Sequence, residues 1–302
     1  MHQDVIALRA FNRFHTRFVG ALDASYMESG LSLVEARVLY EIVQSEGLVA
    51  SDLQEALGLD AGYASRILRR FQAQGWIRRD RGADARTRPI ALTDEGRAAF
   101  AALDDRTRRQ IEARLAPLPA SDRASLTAAL GTAQAILGGD GAAPCAIRTF
   151  RTGDMGLVAA RQAILYAAYG WERPMEILLG EVTTAFLRDF KPGREQCWIA
   201  ERGGTMAGSV FVVDDGTGVA RLRLLYVEPW ARGMGVGRDL VARVIAFARA
   251  AGYSRLVLWT HSVLESARRI YAQAGLRITE VAVHHDFGRP EQGETWEMSL
   301  EA

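Results

Sequence analysis

Apolar positions follow two different rhythms along this chain, and the change falls near residue 140. Before it, apolar residues recur at helical spacing. Ser32-Leu33-Val34-Glu35 carries the pattern of a capping box, and so does Ser51-Asp52-Leu53-Gln54. The second predicts a short helix ending at Gly58. A turn over Leu59-Asp60-Ala61 leads into another helix, which runs to Gln74 and is stopped by Gly75. Helix, short turn and helix is a helix-turn-helix pattern. Trp76-Ile77-Arg78-Arg79-Asp80 and Ile90-Ala91-Leu92 then predict the two arms of a β-hairpin wing. After residue 144, strands are predicted at 146–150, 197–201, 208–213, 220–227, 255–259 and 294–300, interleaved with helical stretches. Such alternation predicts an α/β or α+β domain. Between the halves, Leu137-Gly138-Gly139-Asp140-Gly141-Ala142-Ala143-Pro144 is a Gly-rich stop. The expected division is therefore a mostly α winged domain at 1–138, a linker at 139–144 and the α/β domain at 145–302.

Composition adds limits. The 302 residues suit two domains, and 49% hydrophobic content suits packed cores. No apolar run of 18 residues predicts a membrane span. Met1-His2-Gln3-Asp4 lacks a basic-then-apolar leader pattern, and Cys145 and Cys197 make no disulfide framework. These features together predict a cytoplasmic protein. A net charge of +1 says nothing about polyanions, but its distribution does. Between residues 61 and 88 there are eight arginines and two aspartates, on the second helix and the wing. That clustering is the electrostatic footprint of a DNA reader.

The densest chemistry lies in Leu224-Leu225-Tyr226-Val227-Glu228-Pro229-Trp230-Ala231-Arg232-Gly233-Met234-Gly235-Val236-Gly237-Arg238. An apolar strand ends in Val-x-Pro, an Arg-x-x-Gly-x-Gly loop follows, and a helix opens. Glycines let backbone N–H groups converge, and the helix N-terminus adds its positive end, which makes a cradle for a pyrophosphate. A Walker loop would need Gly-Lys-Ser/Thr, which does not occur. A dinucleotide fingerprint would place an acid about 20 residues on, where Leu256-Val257-Leu258-Trp259-Thr260 stands instead. A plain Gly-rich turn is the bland alternative.

The loop and its flanks resemble the acetyl-CoA loop of the GNAT acetyltransferases. Downstream, Ala267-Arg268-Arg269-Ile270-Tyr271-Ala272-Gln273-Ala274-Gly275-Leu276 is similar to a second motif of that family. Leu264 stands where the family often has Asn, and Leu276 where it usually has Phe. Ala267 and Tyr271 share a helix face. The resemblance implies acetyl-CoA as donor, held by Leu225, Val227, Arg232, Gly233, Gly235, Val236, Gly237, Arg238, Ala267 and Tyr271. It implies a β-bulge after Val227, an oxyanion-type contact from a backbone N–H near Val227, and direct attack by an amine while Tyr271 protonates the leaving thiolate. Glu228 is the candidate base, with His261 and the pair His284 and His285 beside Asp286 as others. No Cys/His spacing supports zinc, so no metal is assigned. Tyr166, Tyr169, Trp171 and Glu172 are candidates for the acceptor cleft; core packing is the alternative for the aromatics.

The first half resembles the MarR family of winged-helix regulators, through residues 59–68, the wing Asp84-Ala85-Arg86-Thr87-Arg88 and Leu92-Thr93-Asp94-Glu95-Gly96. The resemblance implies that Ser65, Arg66 and Arg69 meet the major groove, that Arg86 enters the minor groove and that Asp84 holds the wing. Flanking helical stretches at about 5–26 and 95–137 would build a homodimer reading a palindromic site in double-stranded DNA. His15, Tyr40 and Trp76 are candidates for an effector pocket, with core packing the alternative for the last two. The expected whole is a DNA-binding regulator fused to an N-acetyltransferase acting on a small-molecule amine. Two alternatives stand beside it: a regulator whose second half senses acetyl-CoA without turnover, and an enzyme whose winged helix only dimerises.

Overall fold

The structure is a computed structural model that describes residues 1–22, 25–45, 47–79, 88–137, 144–287 and 290–301. Two compact units divide it, Met1–Pro119 and Ala120–Ala302. In the first unit, α1 (His2–Phe18) precedes α2 (Leu33–Gln44), α3 (Ala50–Leu57), α4 (Ala61–Ala73), β1 (Ile77–Arg79), β2 (Ile90–Leu92) and α5 (Asp94–Leu115). The Ser32 box forms as expected: Glu35 N–H donates to Ser32 Oγ at 3.2 Å, and Ser32 N–H donates to Glu35 Oε2 at 2.8 Å. The second box does not. α3 starts at Ala50, so Ser51 lies inside the helix, and Asp52 instead accepts from Val49 N–H at 3.0 Å. Gly58 closes α3 at φ 61°, a left-handed conformation that favours glycine. Asp60 then caps α4 by accepting from Tyr63 N–H at 3.0 Å. One face of α4 buries Ala64, Ile67, Leu68 and Phe71 against Leu39, Ile42 and Leu53. Spacings of three and four put these residues on one stripe and leave Arg66, Arg69 and Arg70 outside.

In the second unit, α6 (Ala120–Leu137) is followed by β3 (Ala146–Thr149), α7 (Asp154–Ala167), α8 (Arg173–Asp189), β4 (Gln196–Arg202), β5 (Thr205–Asp214) and β6 (Val219–Val227). After these come α9 (Val236–Ala250), β7 (Arg255–His261), α10 (Glu265–Gln273), β8 (Arg277–His284) and β9 (Glu291–Ser299). The helical stretch expected at 95–137 is two helices, α5 and α6, separated around Pro117 and Pro119. α6 packs on the β4–β5 hairpin, where Thr205 Oγ1 donates to Ala128 C=O at 3.3 Å. The seven strands form one mixed sheet in the order β3-β4-β5-β6-β7-β9-β8, antiparallel except for β6 beside β7. Strand alternation sorts the core into two faces. Trp198, Ala200, Ala220, Leu222, Leu256 and Leu258 pack under α9 and α10. Cys197, Ile199, Phe211 and Tyr226 pack under α7 and α8.

Phe71 is fully buried, with its ring 5.4 Å from that of Trp76. Phe71→Ala should therefore cost about 3–5 kcal/mol of stability. Urea denaturation of the first unit's transition measures this, and a loss below about 1 kcal/mol would contradict the packing.

Candidate active site

β6 and β7 run in parallel register from Val219 beside Arg255 to Leu222 beside Leu258, and no further. β7 continues to His261 by pairing with β9, while β6 turns away. The cause is a bulge in β6. Across β5, Ser209 faces Tyr226 but Phe211 faces Arg223, so β6 carries one extra residue there, and Leu224 adopts φ 48°. The bulge sits before Val227, not after it as expected. Its carbonyl is held from inside: Ser209 Oγ donates to Leu224 C=O at 3.3 Å and Gln162 Nε2 at 3.4 Å. The divergence opens a cleft of about 880 Å³. Glu228 N–H donates to Ala207 C=O at 2.8 Å, so by antiparallel alternation the backbone of Val227 turns away from β5 and toward the gap. Leu225 and Val227 both line the cleft.

The loop after β6 closes one end. Gly233 and Gly235 have φ 81° and 82°, and Gly235 is the N-cap of α9. Arg232, Gly233, Gly235, Val236, Gly237 and Arg238 all line the cleft. Gly237 lets α10 approach closely: a Cβ there would lie 2.8 Å from Ile270 Cδ1, which would have to shift. Ala267 and Tyr271 face the same space from α10. Tyr271 is 4% exposed, and burial pushes its phenol well above the usual range, so it stays protonated at neutral pH. These groups fit the expected acetyl-CoA. The glycine loop and helix N-terminus present N–H donors to phosphates, and the unpaired strand edge suits an extended pantetheine arm.

Glu228 is placed differently from expectation. Its two carboxylate oxygens accept from Arg161 Nε at 2.7 Å and Nη2 at 3.0 Å, it is 3% exposed, and it does not line the cleft. The bidentate guanidinium takes one lone pair of each oxygen and ties the strand end to α7.

The far end of the cleft is aromatic. Tyr166 and Tyr169 line it, with Phe287; Trp171 lies behind them fully buried, in a core-packing role, and Glu172 does not line it. Burial pushes Tyr166 up to about 12. Leu264, at the N-cap of α10, joins the cluster formed by Trp171, Met175, Leu179 and Phe287. His261 is buried with its ring 3.8 Å from that of Trp171. Its Nδ1 lies 3.1 Å from Glu291 Oε2, off the direction of a hydrogen bond. His284 packs 4.8 Å from it, and Asp286 lies against His284. His284, His285 and Asp286 do not line the cleft.

On α4, Arg66 and Arg69 are exposed and Ser65 half-buried on one side of the helix. Asp84 and Arg86 lie outside the described residues. His15 stacks on Phe11 along α1, while Tyr40 packs on Phe100 and Trp76 on Phe71.

Several site residues escaped the sequence reading: Ser209 and Gln162, which hold the bulge, Arg161, and Arg223 on the cleft floor. The available signal was a polar side chain inside an otherwise apolar strand or helix face.

Comparison with known proteins gives two family matches. Residues 163–276 match the acetyltransferase (GNAT) family model, and residues 29–87 match that of the MarR family. N-acetyltransferase 8 of Rattus norvegicus is 34% identical over 106 residues, covering 33% of this chain and 46% of that protein. N-acetyltransferase 8B of Homo sapiens is 32% identical over 125 residues, covering 39% and 55%. The chain thus spans about half the length of these curated relatives. A GNAT superfamily phosphinothricin acetyltransferase from Sinorhizobium meliloti, solved with acetyl-CoA, superposes at a TM-score of 0.43. It is 15% identical and covers 52% of this chain and 89% of its own.

Burial pushes His261 down to about 4, with the neighbouring His284 adding to the effect and Glu291 opposing it. A histidine whose folded pKa is depressed stabilises the neutral form. Its contribution is full above the unfolded value of about 6.5 and is lost as pH falls toward about 4. Stability should therefore fall across that window. His261→Phe should flatten this part of the stability–pH curve; an unchanged slope would contradict the burial of a neutral imidazole.

Proposed function

We propose that this chain, which joins a MarR-family winged-helix segment to a GNAT-family acetyltransferase domain, transfers an acetyl group from acetyl-CoA to a small-molecule amine and binds double-stranded DNA as a homodimer. The observation that carries the enzymatic reading is the cleft between diverging β6 and β7. It has a left-handed glycine pair at one end and a buried, protonated Tyr271 in its wall.

Acetyl-CoA, when bound, supplies an activated thioester. Arg232 and Arg238, with the N–H groups at the start of α9, neutralise its phosphates. The N–H of Val227 faces the gap and donates to the developing oxyanion as the amine attacks the carbonyl carbon. The carbon–sulfur bond breaks, and Tyr271 donates its phenolic proton to the departing sulfur. A phenol held above its usual range by burial keeps that proton until the thiolate forms. No enzyme nucleophile is needed. The aromatic end, with Tyr166, Tyr169 and Trp171, excludes water from the acceptor side. The proton lost by the amine passes to solvent at the cleft mouth; His261, with both ring nitrogens buried and its pKa held down to about 4, is too enclosed and too weakly basic to take it.

A second reading, acetyl-CoA sensing without turnover, is favoured by Leu264, which puts an apolar side chain where the family often has Asn. Thiol release across a panel of small amines separates the two. Tyr271→Phe should lower kcat by roughly 10²–10⁴-fold with little change in acetyl-CoA affinity. Undiminished turnover would remove Tyr271 from the mechanism. Absence of release with any amine, despite calorimetric acetyl-CoA binding, would favour the sensor.

DNA binding is supported by the exposed arginines of α4 after a capped turn. Dimerisation is supported by α1, which buries no residue and exposes Val5, Ile6, Leu8, Phe11, Phe14 and Phe18. No helix among the described residues is long and apolar enough to cross a membrane. Arg66→Ala with Arg69→Ala should weaken DNA retention. It should also lower the slope of log affinity against log salt by roughly one for each phosphate no longer neutralised. An unchanged slope would leave the winged helix as a dimerisation module.

A further inference from the structure

Arg223 is the last residue of β6 before the bulge. Its cross-strand partner Phe211 packs on Phe186 of α8, and its neighbour Leu222 packs under α9 and α10. Alternation therefore turns Arg223 onto the α7/α8 face, where it lines the cleft together with Leu178, Leu179 and the half-exposed Trp259.

Its electrostatic situation is unusual. Arg221, two residues earlier on the same face, is matched by Asp215, with Nε to Oδ1 at 3.0 Å and Nη2 to Oδ2 at 2.7 Å. Arg223 has no hydrogen-bond or ion-pair partner among the described residues, although it is half-buried. Burial and the adjacent Arg221 both weaken its hold on its proton, and Asp215 opposes them only in part. A desolvated guanidinium without a counter-charge costs stability, and folded proteins normally pair it. Here the missing partner faces open cleft.

We infer that Arg223 is a carboxylate-binding residue for the acceptor, so that the amine acetylated is a free amino acid with an apolar or aromatic side chain. The inference rests on the acetyl-transfer reading above. Three features meet in it. The guanidinium fork matches a carboxylate with two parallel hydrogen bonds. Val227, whose N–H would face the reacting carbonyl in that reading, lies roughly 10 Å further along the strand, so an acceptor that reaches both must carry its amine and carboxylate within about that span. Amine and carboxylate must therefore lie close together on one small molecule, which a peptide with separated termini does not provide. Tyr169, Leu178 and Trp259, all partly exposed in the cleft, give an apolar side chain its wall.

The test compares phenylalanine, phenylalaninamide and phenethylamine as acceptors for the full-length protein and for Arg223→Gln. Thiol release gives turnover, and calorimetry in the presence of CoA gives binding. The protein should prefer phenylalanine over the amide by roughly ten- to hundredfold in kcat/KM, the size of a charge-assisted hydrogen bond or two. Arg223→Gln should erase that preference through KM, leave acetyl-CoA affinity unchanged, and not lower the thermal midpoint, because it removes an uncompensated cation. Arg223→Lys should recover part of the preference. An equal rate for acid and amide, or a preference that survives in Arg223→Gln, would overturn the inference. If no amine is acetylated but phenylalanine binds in an Arg223-dependent way, the acetyl-transfer reading fails and the carboxylate site stands. If phenylalanine neither reacts nor binds, the carboxylate site fails, whatever the other amines do.

Discussion

A leucine in the left-handed region costs about 1–3 kcal/mol and persists only where its surroundings over-determine it. Leu224 is held in that way. Its carbonyl accepts from Ser209 and Gln162, and its side chain is wedged between the two clusters beneath α7 and α8. Release the bulge and β6 would continue in register beside β7, as it does through Leu222. The gap would close, and the backbone of Val227 would pair with a strand instead of facing a ligand. The Glu228–Arg161 pair just beyond pins the diverging strand end to α7. The cleft is thus a property of backbone geometry that a few buried polar contacts maintain, and its side chains decorate it.

The two ends of the cleft solve different electrostatic problems. At the α9 end, backbone N–H groups, a helix terminus and two arginines gather positive charge, which suits a phosphate-bearing ligand. At the aromatic end, low polarity raises Tyr166 and Tyr271 and lowers His261. Each shift favours the uncharged form, as desolvation requires. Phenol and imidazole are both held uncharged by the same low-polarity surroundings. Arg223 alone, among the cleft groups described, remains a cation in half-buried surroundings without a partner.

The sequence made some of this readable and hid the rest, for physical reasons. The glycine loop was legible because φ near +80° at Gly233 and Gly235 leaves a compositional trace. The turn between α3 and α4 was legible because capping uses few residue types, Gly58 and Asp60 among them. The bulge was misplaced because it falls on a leucine, which carries no local signal for that conformation. Glu228 looked like a base because a carboxylate at a strand end suggests one; its partner Arg161 is 67 positions away and invisible to spacing. β8 was missing from the expected strands because nearly all its residues are exposed on both faces, which erases the alternation that marks a half-buried strand. Ser51 misled because Asp52, one residue on, does the capping.

Leu264 shows how one such departure can be read. A polar residue at the N-cap of α10 would satisfy a free N–H of the first turn, an effect of about 1 kcal/mol. Leucine gives that up, and the helix starts with no side-chain cap. In exchange, its partly buried side chain packs with Trp171, Met175, Leu179 and Phe287, a contribution below the 1.5–3 kcal/mol or so of a fully buried leucine. The consequence of the leucine falls on the site, where it moves polarity away from the cofactor side and extends the apolar wall from α8 to the start of α10. An acceptor bound there meets aromatic and aliphatic surface on that side and a single unpaired cation on the cleft floor. The discrimination such a surface can exert by shape alone is modest, on the order of 1–3 kcal/mol per methylene-sized difference. A half-buried cation adds a contribution of similar size for a ligand that matches its charge, so the floor of the cleft and its wall would act together on what the cleft accepts.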